Sequence, residues 1–64
     1  MNRRQLEKHL RAHGCLLHHH GAKHDVWLNP ENLAQTSVPR HKRIKVGTIR
    51  GIRRILGIPR PPNL

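Results

Sequence analysis

The 64-residue chain has no phenylalanine or tyrosine, and Trp27 is its only large aromatic residue. A core must therefore be built mainly from leucine, isoleucine and valine, and a chain of this length forms one domain at most. So small a domain has little material left for an enclosed pocket. We therefore expect no small-molecule ligand.

Cysteine is nearly absent as well, because Cys15 stands alone. An internal disulfide is excluded, and a lone cysteine beside Leu16 and Leu17 is typical of a small apolar core residue. A single thiol fits a reducing cytoplasm without establishing it, and the cytoplasm is the location that we expect. No stretch approaches the ~20 apolar residues that span a membrane, and no apolar run follows the first residues as in a signal peptide.

Acidic residues are scarce. Only Glu7, Asp25 and Glu31 stand against 13 Lys and Arg, so the formal net charge is +10 with the seven histidines neutral. Such an excess predicts a polyanionic partner, which can be a nucleic acid, an acidic protein or an anionic membrane surface. Solubility alone does not explain it, because soluble surfaces usually mix both signs of charge. The charge does not separate RNA from DNA.

Two segments have helical periodicity. The first covers residues 2–13, where Asn2 can cap the first turn in a capping box and Gly14 supplies a left-handed end. The second covers roughly residues 46–56, and Gly57 is placed to end it. The expected core positions of the two helices are Leu6, Leu10, Ile49, Ile52, Ile55 and Leu56.

Three short segments between the helices are predicted to be strands, namely residues 15–20, 24–29 and 34–38. Residues 21–23 form a turn that makes the first two strands a hairpin, and Pro39 stops the third strand. An antiparallel sheet must cover one face with apolar side chains, and the two helices can do so together. The predicted fold is α+β, in the α-β-β-β-α layout of a double-stranded-RNA-binding domain, with a three-stranded antiparallel sheet and both helices on one face.

In the second predicted strand, Val26 and Leu28 lie on one face, and Asp25 and Trp27 lie on the other. Trp27 could stack on a base of single-stranded RNA or cover a thin core, and the alternation favours the exposed face. The proline-rich end of the chain cannot continue a helix. We expect residues 1–58 to form the domain and residues 59–64 to be a flexible tail.

The turn that ends in Lys23 and His24 carries the most interesting candidate for chemistry. A glycine at position 21 lets the backbone approach a phosphate closely, and a histidine that begins a strand can be exposed. A neutral imidazole can take the proton of an RNA 2′-hydroxyl, while nearby cations stabilise the charge that builds on the phosphate. That chemistry needs no metal ion or other cofactor. By itself the pattern favours an exposed or hydrogen-bonded strand histidine without a role, because a single His beside a Lys is a weak signal.

A second candidate is the basic segment of residues 40–45, which leads into the second helix. Its cationic side chains can grip phosphate at a helix N-terminus, where N–H groups are unpaired. A solvated linker is the alternative. The candidate phosphate-binding residues are Lys23, Arg40, His41, Lys42, Arg43 and Lys45. For the run His18–His20 the pattern favours a polar strand end over a metal site, because strand alternation divides its side chains between two faces.

Taken together, several short motifs resemble the HicA toxin family. They are Arg3-Arg4-Gln5-Leu6, Leu10, His13-Gly14-Cys15, Gly21-Ala22-Lys23-His24, Asn29-Pro30, Val38-Pro39-Arg40-His41, Ile44, and Gly47-Thr48-Ile49-Arg50 with Ile52. The resemblance runs from about residue 2 to residue 58. It is carried by the order and spacing of the motifs rather than by any single one of them.

The resemblance implies a fold like that of double-stranded-RNA-binding domains and a toxin of a type II toxin–antitoxin system. It further implies a metal-independent mRNA interferase with His24 as the catalytic residue, and a HicB-type antitoxin that buries this histidine. The expected partners are thus mRNA and HicB, with no membrane partner. Two features depart from the family: the run His18–His20, and a turn over residues 31–33 that lacks the common glycine. A non-catalytic basic RNA-binding module is the alternative function.

Overall fold

The computed structural model describes residues 1–62. The elements follow one another as α1 (Arg3–Ala12), β1 (Leu16–His20), β2 (His24–Asn29), β3 (Ala34–Pro39) and α2 (Val46–Leu56). The strands form an antiparallel sheet in the order β1-β2-β3, and both helices pack on one face of it. The α-β-β-β-α fold predicted from the sequence is confirmed, and every element boundary lies within a residue of its prediction.

Helix α1 begins and ends where the capping signals indicate. The Asn2 side chain accepts a hydrogen bond from the backbone of Gln5 at 2.8 Å, and the Gln5 side chain accepts one from the backbone of Asn2 at 3.2 Å. This is the predicted capping box, which satisfies two donors that a helix start leaves free. Gly14 follows with φ +82, so the left-handed end is confirmed too. Leu6 and Leu10 are buried as expected.

Helix α2 follows its prediction except at Ile55. Ile49, Ile52 and Leu56 are buried, whereas Ile55 is 53% exposed. At roughly 100° per residue, Ile55 lies about a quarter turn from the centre of the apolar stripe, so its prediction as core was wrong. The left-handed Gly57, with φ +70, ends the helix as predicted.

Trp27 lies in the core. Its exposure is 1%, so the prediction that it favours the exposed face was wrong. Burial removes roughly 150–250 Å² of Trp surface from water, worth about 4–6 kcal/mol, which no other side chain of this chain can supply. The Arg11 guanidinium lies 5.2 Å from the centre of the indole ring and covers it from α1. Burial also raises the pKa of the nearby core thiol of Cys15, which stays protonated at neutral pH.

Two asparagines attach the β2–β3 turn to the end of α2. The Nδ2 atoms of Asn29 and Asn32 both donate to the carbonyl of Leu56, at 2.7 and 3.1 Å. Their Oδ1 atoms accept from the backbone of Glu31 and Ala34 at 3.1 and 2.9 Å, which closes the turn. Because a helix end leaves carbonyls without partners, these amides act as a C-terminal cap supplied by the sheet.

The turn between β2 and β3 places Leu33 in the left-handed region, at φ +62. Within residues 1–62, Leu33 is the one residue other than glycine with a positive φ. The turn contains no glycine, although the left-handed region favours one. The side chain is 73% exposed, so nothing in the packing compensates the strained backbone.

The described part of the C-terminal segment runs along α1. The carbonyl of Pro59 accepts a hydrogen bond from His9 Nε2 at 2.8 Å, and Pro61 is fully buried. The predicted flexible tail therefore has contacts over residues 59–62, and its last two positions lie outside the described residues. Within residues 1–62, neither helix is long and apolar enough to cross a membrane.

Replacing Asn29 by Asp should destabilise the fold by about 1–3 kcal/mol. The side chain keeps its shape but loses the N–H that caps Leu56, and a carboxylate then faces a carbonyl oxygen. Unfolding in urea, followed by Trp27 fluorescence, measures the change. Ser37→Ala on the exposed face of β3 is the control and should stay within about 0.5 kcal/mol of the parent. Equal stability of the Asp variant and the parent would contradict the capping role.

Replacing Leu33 by Gly should stabilise the protein by roughly 0.5–1 kcal/mol. Glycine removes a left-handed strain of about 1–2 kcal/mol and adds about 0.5–1 kcal/mol of unfolded-state entropy. Thermal unfolding should show a melting temperature higher by roughly 2–8 °C. Leu33→Ala removes the same exposed side chain but retains the strain, so it should not gain stability. A glycine variant no more stable than the alanine variant would refute the strain.

Candidate catalytic turn and nucleic-acid interface

His24 is exposed at the first position of β2. Strand alternation turns Asp25 and Trp27 toward the helices, so His24 shares the opposite, open face of the sheet with Val26 and Leu28. In the neighbouring strand it lies opposite Pro39, the last residue of β3. The predicted candidate for chemistry is thus accessible to a large substrate at one end of the sheet.

The turn before His24 is tight at Gly21. The Gly21 N–H donates to the His24 carbonyl at 2.9 Å. A Cβ atom at position 21 would lie 2.6 Å from that carbonyl oxygen, closer than real contacts allow. Gly21 is therefore needed for the close approach of two backbone segments and not for an unusual φ. Lys23, beside His24, is exposed.

Arg40 extends from the end of β3 to this turn. Its Nη2 donates to the carbonyls of both Gly21 and Ala22. Its Nη1 lies 2.5 Å from Nε2 of the His20 ring. The side chain, predicted to bind phosphate, is only 24% exposed and is largely occupied by the turn. Phosphate binding by Arg40 stays a prediction.

Beneath the turn lies the carboxylate of Asp25, which the sequence did not mark as a site residue. Its side chain is 8% exposed. Asp25 Oδ1 lies 2.8 Å from His20 Nδ1 and 3.8 Å from Arg40 Nε, although within residues 1–62 no N–H points at it with hydrogen-bond geometry. The signal that could have found it is the alternation that places Asp25, one of three acids in the chain, on the same strand face as the only Trp.

A cationic cleft of about 250 Å³ opens at the start of α2. Its lining residues are Pro39, His41, Arg43, Ile44, Lys45 and Thr48. Lys45 caps α2 without a side-chain hydrogen bond, and the first turn has no acid. The N–H groups of that turn therefore face a positively charged cleft, which suits an anion. Because Pro39 also lies opposite His24, the cleft adjoins the histidine end of the sheet.

A larger cleft of about 420 Å³ lies between α1 and the basic connector, which is the segment of residues 40–45 that joins β3 to α2. Asn2, Arg3, Arg4, Glu7 and Lys42 line it. The carboxylate of Glu7, paired with Arg3 at 3.8 Å, would repel a phosphate there. Of the predicted phosphate-binding residues, the structure thus brings His41, Arg43 and Lys45 together in the smaller cleft.

The three consecutive histidines do not meet in one cluster. A bulge between Leu17 and His19 interrupts β1, so His19 lies opposite Val26 on the open face and His20 lies opposite Asp25. In the part of the chain that the structure describes, no three His, Cys, Asp or Glu residues are grouped as metal ligands would be.

This combination of elements and charge defines a small basic protein with the fold of a double-stranded-RNA-binding domain. The chain belongs to the HicA toxin family: the family model described as HicA toxin of bacterial toxin-antitoxin matches residues 3–58, nearly the whole sequence. It is thus a toxin of a toxin–antitoxin system, with an antitoxin as its partner. No curated protein and no solved structure matches the chain.

Replacing Gly21 by Ala should distort the turn and destabilise the protein by about 1–3 kcal/mol, because the new methyl group must displace the His24 carbonyl. Gly47→Ala and Gly51→Ala are matched controls, since a Cβ at either position meets nothing within 4 Å. Both lie in α2 and should stabilise it by roughly 0.5–1 kcal/mol. Urea unfolding distinguishes the two results, and a Gly21 variant as stable as the parent would contradict the close approach.

Proposed function

We propose that this toxin is a metal-independent endoribonuclease that cuts mRNA with His24 as its general base. The observation that carries the proposal is the pairing of His24 with Pro39, which joins an exposed imidazole to the cationic cleft. A substrate chain held by its phosphates in that cleft passes the open face of the sheet. The family of the chain supports a toxin that acts on mRNA.

In the proposed reaction, neutral His24 takes the proton of a ribose 2′-hydroxyl. The 2′-oxygen attacks the adjacent phosphorus in line, and the bond to the 5′-oxygen of the next nucleotide breaks. The leaving oxygen takes a proton from an acid, for which Lys23, His20 and His41 are candidates. The products are a 2′,3′-cyclic phosphate and a 5′-hydroxyl. All three candidate acids are exposed, and of the three His20 also contacts Asp25 and Arg40.

Phosphate binding is assigned to exposed basic side chains. They are Lys23 beside the turn, His41, Arg43 and Lys45 in the smaller cleft, and Lys42 on the segment between them. They hold the chain and stabilise charge on the phosphate oxygens as the 2′-oxygen attacks. A net charge of +10 supplies the long-range attraction to a polyanion. The same surface suits an acidic HicB-type antitoxin in the cytoplasm, which neutralises the toxin by covering His24.

Replacing His24 by Ala should lower RNA cleavage about 10²–10⁴-fold, the usual contribution of a general base. A long RNA incubated with protein in EDTA, followed by analysis of the new ends, measures the rate and detects the cyclic phosphate. His19→Ala, an exposed histidine on the same open face, is the matched control and should cut like the parent.

Equal cutting by the His24 and His19 variants would remove His24 from the mechanism. A parent protein that binds RNA in a salt-sensitive way without any turnover would instead establish the non-catalytic RNA-binding module.

A further inference from the structure

The Arg40 guanidinium is committed to the turn that carries His24. An arginine has five N–H donors in a planar fork. In Arg40, Nη2 donates to two carbonyls, Nη1 faces the His20 ring, and Nε faces the carboxylate of Asp25. A phosphate would have to displace these groups to bind the same donors.

Asp25 provides the opposite charge that keeps Arg40 in this position. It is buried, and its carboxylate is 3.8 Å from Arg40 Nε. A buried carboxylate without a cation nearby is costly, so the two charges stabilise each other's location. The chain has 13 Lys and Arg, and the buried carboxylate of Asp25 attracts the guanidinium of one of them, Arg40, toward the protein interior.

The backbone of Arg40 is held as well. Arg3 Nη1 donates to the Arg40 carbonyl at 3.0 Å, and the neighbouring connector pairs with the N-terminal residues through Arg3 N and the Lys42 carbonyl, also at 3.0 Å. The preceding Pro39 has a restricted φ. The base of the Arg40 side chain is therefore fixed from the α1 side, while its tip holds the turn.

Gly21 links the Arg40 side chain to the backbone of His24. Arg40 holds the Gly21 carbonyl, and the Gly21 N–H donates to the His24 carbonyl at 2.9 Å. Any movement of the guanidinium changes the support of the turn immediately before the proposed base. In active sites, a displacement of about 1 Å can cost 10²-fold in rate.

We propose that Arg40 is a positioning residue, anchored by Asp25, that holds the Gly21–His24 turn and does not bind phosphate itself. The effect of Arg40 on the rate of RNA cleavage rests on the proposed nuclease function. The effect of Arg40 on the structure of the turn does not rest on that function, because the hydrogen bond from Gly21 to His24 can be measured without RNA.

Amide hydrogen exchange and single-turnover RNA cleavage test the proposal together, using Arg40→Ala, Arg40→Lys and Lys45→Ala, since Lys45 lines the proposed phosphate cleft and makes no side-chain hydrogen bond to the helix start. Exchange of the Gly21 N–H should be roughly tenfold or more faster in both Arg40 variants, because lysine has the charge but not the fork. The amide of Cys15, which donates to the Leu10 carbonyl at 2.9 Å, reports whether the core stays folded and should exchange as in the parent. Asp25→Asn should also accelerate exchange at Gly21, by less than Arg40→Ala.

The two roles of Arg40 differ in the salt dependence of RNA binding. For a positioning residue, both Arg40 variants should lower the maximal cleavage rate about 10–100-fold and leave the salt slope of RNA affinity unchanged. Lys45→Ala should instead reduce that slope by about 0.7–1 and leave Gly21 exchange unchanged.

The proposal is overturned if Arg40→Lys retains the exchange rate of the parent at Gly21, or if Arg40→Ala lowers the salt slope as Lys45→Ala does. If the parent protein does not cut RNA, the proposed function fails, while the exchange rates at Gly21 still decide the role of Arg40.

Discussion

Burial of Trp27 determines how the rest of this small protein is arranged. The indole is the largest apolar group in the chain and lies beneath the helices, 1% exposed. Because side chains alternate along a strand, its inward direction also turns Asp25 and Asn29 inward and leaves His24 on the open face. A slip of one residue would exchange these faces and bury the proposed base. The packing of the core and the exposure of the candidate site therefore depend on the same constraint.

Asn29 and Asp25, the two polar residues of β2 that point inward beside Trp27, attach the ends of the sheet to neighbouring elements. At one end, Asn29 caps the carbonyl of Leu56 and fixes the end of α2. At the other end, Asp25 lies beside Arg40 and the turn before His24. Buried polar groups must find partners, so each of them specifies a contact that apolar packing alone would leave free. In a domain with so small a core, such contacts contribute much of the specificity of the fold.

The positive charge serves two purposes in this arrangement. Most of the cations are exposed and produce a field that favours polyanions. Arg40 is different, because its guanidinium contacts the protein's own carbonyls and carboxylate. A position close to His24 in the structure or the sequence does not by itself tell whether a basic residue binds a polyanion or supports the protein's own turn. The two roles are distinguished by whether the N–H donors of the side chain already have partners within the protein.

Sequence patterns alone determined the order and approximate bounds of the five elements, the capping box of α1, the left-handed ends at Gly14 and Gly57, and the family. These features depend on local periodicity and on backbone conformations that particular residues favour. The direction of Trp27, the exposure of Ile55 and the inward turn of Arg40 were decided by the tertiary structure. Each depends on which distant groups compete for the same space or the same hydrogen bonds, and that competition exists only when the helices and the sheet are packed together.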